Sequence, residues 1–375
     1  MSRSSSTATA PIWFAHERDR TWACASPSTA AMDFHRGLAG YAATPLVELP
    51  QLALELGVGH VFAKDESWRL GLPAFKALGA SWAVHRALAE LPSGGEQVEP
   101  VTVVTATDGN HGRAVARFAR VLGHPSAIVV PPGVHPDAVR AIEDEGASVT
   151  LVEGTYDDAV AFASRLADDV DGILVQDTAW PGYEEIPGWI VEGYATLFAE
   201  VDEELAGQHF GQPDLIFVPA GVGSLLQGAL SHYRGERSVP GTAVVSVEPL
   251  AAACSAPSLL AGRPVTVPTG RTIMTGLNCG TPSSLAWPYI AAGLDAAVAI
   301  SDEEDLDAAR DLATLGVVAG PCGAAGLAAA RAALTGSGSE GRRRHLGVGP
   351  ESTVILVITE GAAANPLPND EQRVS

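Results

Sequence analysis

Two lysines, Lys64 and Lys76, stand against 21 arginines in a chain of 375 residues. An arginine stays protonated and offers no free lone pair to a carbonyl carbon. Any amine–carbonyl chemistry therefore falls to one of these two lysines. Lys64 lies in His60-Val-Phe-Ala-Lys-Asp65, which reads as a short strand running into a polar turn. Lys76 follows the Gly/Pro loop Arg69-Leu-Gly-Leu-Pro-Ala-Phe75 and opens Ala77-Leu-Gly-Ala-Ser-Trp-Ala-Val84, an expected helix. A lysine at such a junction, among apolar neighbours, loses its proton more easily and can act as a nucleophile. Taken by itself, the stretch fits an ordinary solvated lysine better.

The elements around it follow a regular alternation. Thr44–Leu49 reads as an extended entry, 51–56 as a helix closed by Gly57, and 77–91 as a helix ending near Pro92. A polar linker spans 93–100. Strands at 101–105, 127–130, 148–152 and 172–175 alternate with helices at 113–122, 136–145 and 156–167. After an acidic helix at 186–205 come strands at 215–220 and 243–248, helices at 302–315 and 324–334, and a strand at 353–359. Strands alternating with helices of this length build βαβ units and a parallel sheet. The linker and the acidic helix suggest hinges, so the expected division is a large domain of 1–85 plus 196–375 with a small domain of 86–195 inserted. Residues 1–40 read as an irregular arm.

Three loops fall where ligands bind in such sheets, at the carboxyl ends of strands. They are Thr105-Ala-Thr-Asp108-Gly-Asn110-His-Gly112, Ala220-Gly221-Val222-Gly223-Ser224-Leu225, and Thr359-Glu-Gly361. The second reads as an anion cradle, with glycines that admit backbone N–H groups and a helix start that adds its positive end. No Gly-Lys-Ser/Thr follows it, and Leu226 breaks the dinucleotide pattern.

Composition narrows the partners. A net charge of −21 and a pI near 4.7 oppose nucleic acid or an anionic membrane as partner. No apolar run is long enough to span a bilayer. The first residues lack the apolar stretch of a signal peptide. Cys24, Cys254, Cys279 and Cys322 show no zinc spacing, so reduced thiols and a cytoplasmic location are expected. Spacing does not tell whether Cys254 and Cys279 approach one another.

The order of these segments is more specific than any one of them. The chain resembles the fold-type II pyridoxal-phosphate enzymes of the tryptophan synthase β/threonine dehydratase group. Within that group it is similar to the diaminopropionate ammonia-lyase family over roughly residues 44–361. The resemblance rests on Arg69–Gly79, Ala106–Gly112, Gln176-Asp-Thr-Ala-Trp180 with Gly182-Tyr183, Thr272-Ile-Met-Thr-Gly-Leu-Asn-Cys-Gly280 and Thr359-Glu-Gly361. It implies an α/β fold of two open, twisted, mostly parallel sheets flanked by helices. It also implies pyridoxal 5′-phosphate as cofactor, a small amino acid as substrate, and a homodimer. By position, Lys76 would carry the cofactor as a Schiff base, Asn110 would contact the ring 3′-oxygen, Gly221–Leu225 would hold the phosphate and Thr359 would face the pyridine nitrogen. A neutral hydroxyl there does not force the ring nitrogen to protonate, which suits elimination more than transamination. Asp108 and Asp177 would be the acidic groups that recognise a second ammonium or serve as bases.

The implied reaction converts 2,3-diaminopropionate and water to pyruvate and two ammonia, on both D and L isomers. The chain departs from the family pattern at Pro73-Ala74, where members carry Asn-Ser. It departs also at Ala362-Ala-Ala364, where members carry Asp-Thr-Asp, and at Pro321-Cys322, in place of Glu-Ser. Two alternatives stay open: a serine/threonine dehydratase-like lyase, and a non-catalytic binding protein on this fold. Plainer readings also stand, with Asp108 as a helix cap, His111 as a structural hydrogen-bonder, Asp177 as a turn residue and Cys322 as a packing residue.

Overall fold

The computed structural model describes residues 12–91, 99–107 and 109–367. Among them eleven strands form two sheets. In chain order they are β1 (Trp13–Ala15), β2 (Leu46–Glu48), β3 (His60–Asp65), β4 (Val103–Ala106), β5 (Ser126–Val130), β6 (Ser148–Leu151), β7 (Ile173–Leu174), β8 (Leu215–Pro219), β9 (Ala243–Pro249), β10 (Ala296–Ile300) and β11 (Thr353–Ile358). The larger sheet has the order β1-β10-β9-β8-β11-β3-β2, and the smaller β6-β5-β4-β7. All pairs are parallel except the two edges of the large sheet, β1 on β10 and β2 on β3.

The central strands of the large sheet are buried on both faces. Strands β8, β9, β10 and β11 are buried at every position, as expected of near-continuous apolar runs between helical layers. Strand β10, Ala-Ala-Val-Ala-Ile, is not among the strands expected from the sequence. Three of its five residues are alanines, so its composition carries little β-propensity. Burial against its neighbours holds it extended. The expected irregular arm is also partly ordered. It supplies β1 and the helix Ala30–Gly37, whose buried His35 bonds Thr196 Oγ1 at 2.8 Å and the Leu78 carbonyl at 3.0 Å.

Two helices set the position of the lysine. Helix Lys76–Ala89 lies against the 23-residue helix Glu185–Gly207. The approach is close enough to demand glycine on both sides. A Cβ at Gly79 would sit 2.5 Å from a Tyr194 ring carbon, and one at Gly193 would sit 2.6 Å from the Leu78 carbonyl oxygen. The long helix passes residue 195 without a break.

Among the described residues, one buried carboxyl group lacks partners for both of its oxygens. Asp305, in the first turn of helix Asp302–Thr314, is fully buried, and neither carboxylate oxygen has a hydrogen-bond partner among the described residues. Burial, with the negative charges of Asp302 and Glu360 nearby, pushes its pKa from 3.8 up to about 9. The folded state therefore keeps a proton that the unfolded chain releases above its ordinary value. Stability must fall as pH rises through that window. Asp305→Asn is expected to raise the thermal unfolding midpoint at pH 8, with the gain shrinking as the pH is lowered toward 4. A gain that does not change with pH would contradict this account.

Candidate active site

The two lysines have opposite surroundings. Lys64, on β3, is fully buried. Its Nζ donates to the Thr44 carbonyl at 2.6 Å and meets Glu204 at 2.5 Å and Glu200 at 2.9 Å. Those partners hold it as a structural cation. Lys76 is the first residue of helix Lys76–Ala89, its side chain is 22% exposed, and its Nζ meets Asp177 Oδ2 at 2.6 Å.

The loop before Lys76 is fixed from both sides. Residues 69 and 72 close a tight turn through paired backbone bonds, with Leu70 and Gly71 at positive φ. The Arg69 side chain points back into the body and is fully buried between Glu66 and Glu200. On the other side, the Phe75 N–H donates to the Thr359 carbonyl at 3.1 Å and the Gly361 N–H to the Pro73 carbonyl at 3.0 Å. The segment after β11 is thus strapped antiparallel to the lysine loop. Gly361 is needed there, because a Cβ would lie 2.7 Å from Ser67 Cβ.

Asp177 follows β7 of the small sheet, and its residue is 8% exposed. Burial opposes its ionisation. The Lys76 ammonium outweighs burial and holds the carboxyl well below the usual carboxylate range. Its Oδ1 receives Gln176 Nε2 at 3.3 Å and the Tyr156 hydroxyl at 3.4 Å. Gln176 also donates to the Tyr156 oxygen at 2.8 Å and accepts from the Ala106 N–H at 2.9 Å, which fastens Asp177 to the end of β4. Tyr156, at the start of helix Tyr156–Asp169, reads in the sequence only as a helix start, since nothing in its local sequence marks it.

Within the Gly-Asn-His-Gly segment, residues 110–112 are helical rather than a loop. Helix Asn110–Val121 begins at Asn110 because Thr107 Oγ1 accepts the N–H groups of Gly109 and Gly112, at 2.9 and 3.0 Å. Asp108 lies outside the described residues. His111 is buried, which pushes its pKa below the ordinary value. Its Nε2 faces the Val175 carbonyl at 2.8 Å, so that nitrogen carries the proton. Asn110 Nδ2 donates to Glu360 Oε2 at 2.5 Å.

The glycine-rich loop expected to cradle an anion lies at the carboxyl end of β8. Gly223 has φ +98° and precedes helix Ser224–Tyr233, and Ser224 Oγ donates to the Asp177 carbonyl at 2.9 Å. A Cβ at Gly221 would fall 2.9 Å from the Gly276 carbonyl oxygen and 3.1 Å from Cys279 Sγ. The first N–H groups of a helix have no partner within it, so Val222, Gly223, Ser224 and Leu225 offer donors to an anion. Thr359, next to the lysine strap, is buried, and its hydroxyl has no hydrogen-bond partner among the described residues. An orphaned buried hydroxyl, an amine and a glycine-lined helix start together suit a group with a ring nitrogen, an aldehyde and a phosphate. Cys254 and Cys279 are not joined by a disulfide, and the Cys254 thiol faces Glu248 at 3.4 Å.

The sequence profile described as "Pyridoxal-phosphate dependent enzyme" matches residues 38–360. The chain belongs to that family of pyridoxal-phosphate enzymes, in its fold-type II branch; it is a lyase, and its cofactor is pyridoxal 5′-phosphate. A diaminopropionate ammonia-lyase of Salmonella typhimurium is 41% identical over 278 residues, 68% of this chain and 68% of the relative. That of Escherichia coli K12 is 34% identical over 356 residues, 90% of this chain and 88% of the relative. A crystal structure of the E. coli enzyme, in complex with an aminoacrylate–pyridoxal-phosphate azomethine intermediate, superposes with a TM-score of 0.84 at 31% identity. The match covers 98% of this chain and 97% of that one.

With Lys64 enclosed by carboxylates, borohydride reduction of the holoenzyme and peptide mapping is expected to find the pyridoxyl group on Lys76 alone. Lys64→Ala should keep the cofactor's absorption band and lose about 3–5 kcal/mol of stability, the usual cost of leaving buried carboxylates without their cation. A pyridoxyl group on Lys64 would reverse the assignment.

Proposed function

We propose that this lyase eliminates ammonia from 2,3-diaminopropionate, giving pyruvate and two ammonia with the uptake of one water, on both D and L isomers. The observation that carries the reading is the Lys76–Asp177 pair at 2.6 Å. When Lys76 holds the cofactor, its ammonium is no longer there to balance Asp177. A buried carboxylate left without a cation is costly. A diamino acid brings a second ammonium that restores the balance, whereas serine or threonine brings a neutral hydroxyl. The named relatives, diaminopropionate ammonia-lyases, support the same choice.

The bound cofactor supplies an electron sink for the pair left on the α-carbon when its proton departs. Gly221, Val222, Gly223, Ser224 and Leu225 would hold the phosphate through backbone N–H groups and the helix start. Thr359 Oγ1 would face the pyridine nitrogen, and Asn110 the ring 3′-oxygen. Lys76 Nζ takes the α-proton of one isomer, and the β-nitrogen, already an ammonium, departs as neutral ammonia without a further proton. Asp177 holds the β-ammonium, and Tyr156 and Gln176 keep that carboxylate turned toward Lys76. Asp108 takes the α-proton of the opposite isomer, a role that rests on its place in the family loop.

We also propose that two copies pair, that the enzyme works in the cytoplasm, and that residues 86–195 form a unit inserted between 1–85 and 196–375. The small sheet draws only on residues between 103 and 174, which supports the last of these.

Two substitutions test the acidic groups. Asp177→Asn is expected to lower kcat/KM for diaminopropionate by roughly 10²–10³-fold, through loss of a buried charged contact. Any residual activity on serine should change far less. Equal losses on both substrates would remove the ammonium-binding role. At the other position, the Asp108→Asn side chain cannot accept a proton, and loss of a positioned base typically costs ~10²–10⁴-fold. That loss is expected in the saturating turnover of D-diaminopropionate, with the L isomer little affected. Equal loss for both isomers would reduce Asp108 to a binding or capping residue.

A further inference from the structure

Glu360 stands where the two sheets meet, and the chemistry above gives it no task. Its side chain is buried. It follows β11 of the large sheet, yet its Oε2 receives Nδ2 of Asn110, at the carboxyl end of β4 in the small sheet, at 2.5 Å. Its Oε1 receives the Cys322 N–H at 3.2 Å, in the first turn of helix Pro321–Leu334. Its backbone is fixed too. The Gly320 N–H donates to the Glu360 carbonyl at 3.0 Å, and Ala74 bridges to Glu360 beside the lysine loop. A Cβ at Gly323 would lie 2.4 Å from the Glu360 carbonyl oxygen, so the helix can pack this closely only with glycine there.

We propose that Glu360 is a positioning residue that acts on the cofactor through Asn110. A carboxylate at a helix N-terminus is stabilised in its charged form, and a charged carboxylate only accepts hydrogen bonds. The Asn110 amide must therefore turn its nitrogen, not its oxygen, toward Glu360. That choice fixes the whole amide group. One N–H is committed to Glu360, and the second N–H is left to donate to an oxygen on the cofactor side. Without Glu360 the amide can rotate by half a turn and present its carbonyl instead, which repels an oxygen anion. The bond spans both sheets, so it also holds Asn110 in register with the Thr359 strap and the Lys76 loop. The inference rests on the reading that Asn110 meets the cofactor ring.

The test is a pH titration of the holoenzyme's bound-cofactor absorption band, in the wild type and in four variants: Asn110→Ala, Glu360→Gln, Glu360→Asp and the double variant Asn110→Ala with Glu360→Gln. Asn110→Ala is expected to move the titration midpoint by roughly one unit, the scale of one hydrogen bond to a charged oxygen. Glu360→Gln is nearly isosteric and should move it in the same direction. The double variant should match Asn110→Ala alone, because the second change acts only through the first. Glu360→Asp keeps the negative charge at the helix start but falls a methylene short of Asn110. It should shift the midpoint as the glutamine substitution does, and it carries the test should Glu360→Gln fail to fold. A midpoint unmoved in both Glu360 variants while Asn110→Ala shifts it would overturn the proposal, as would a double variant showing the sum of the two shifts. A midpoint unmoved in Asn110→Ala would instead remove Asn110 from the ring, and the role of Glu360 with it. A merely structural Glu360 would lower the unfolding temperature and leave the midpoint in place.

Discussion

The guanidinium of Arg69 is buried whole, and the rest of the site is built on how it is satisfied. Glu66 takes it side-on through Nε and Nη2, at 2.8 and 2.6 Å, and Glu200 takes the other edge through Nη1 and Nη2, both at 2.7 Å. Thr44 Oγ1 and the Ala42 carbonyl accept two more bonds. Lys64 and Glu204 extend the same network, and the Tyr41 hydroxyl donates to Glu200 at 2.8 Å. Buried charges are tolerated only when every partner is in place, because removing one leaves the others uncompensated in a poorly polarisable interior. The network therefore admits one arrangement of the entry strand, β3, the loop after it and the long helix. That arrangement delivers Lys76 to the end of the sheet at the start of its own helix. It also explains why Lys64 belongs to the scaffold.

The second constraint is the strap of residues 359–361. This short stretch touches the lysine loop, the Asn110 turn and the start of helix Pro321–Leu334 together. A β-strand can end in this way because its last residues leave the ladder and are free to bond elsewhere. Here those groups bond the Phe75, Pro73 and Gly320 backbones. The Thr359 hydroxyl stays buried, without a partner among the described residues. A buried hydroxyl without a partner is costly, and a ring nitrogen placed beside it would remove that cost. The departures at Pro73-Ala74 and Ala362-Ala-Ala364 fall next to this strap. At Pro73 and Gly361 the contact uses backbone atoms, so a change of side chain leaves the strapping intact.

Much of the fold was legible in the sequence, because strand–helix alternation is a local property. Gly57 closes its helix at φ +62°, as the sequence implied, since only a residue without a Cβ adopts that conformation readily. The apolar runs of β8, β9 and β11 are recognisable by length and branching. Strand β10 is not, because an alanine-rich run does not declare itself a strand until neighbours bury it. Spacing puts the start of the helix at Arg113, three residues late, since the Thr107 hydroxyl that starts it acts on groups two and five residues onward.

By itself the sequence determined that amine chemistry had only two lysines to use, that a glycine-rich loop followed a strongly apolar run, and that a Thr-Glu-Gly segment ended the last strand. These are facts of composition and of short-range spacing. The tertiary structure decided what depends on distant partners. It enclosed Lys64 in carboxylates and left Lys76 facing Asp177. It brought Asp177 to Lys76 across 101 positions and Glu360 to Asn110 across 250. It turned Tyr156 from a helix start into a neighbour of Asp177. The reason is physical: whether a side chain is a scaffold ion or a reactive group is set by the charges and the burial around it, and the chain supplies those only when it folds.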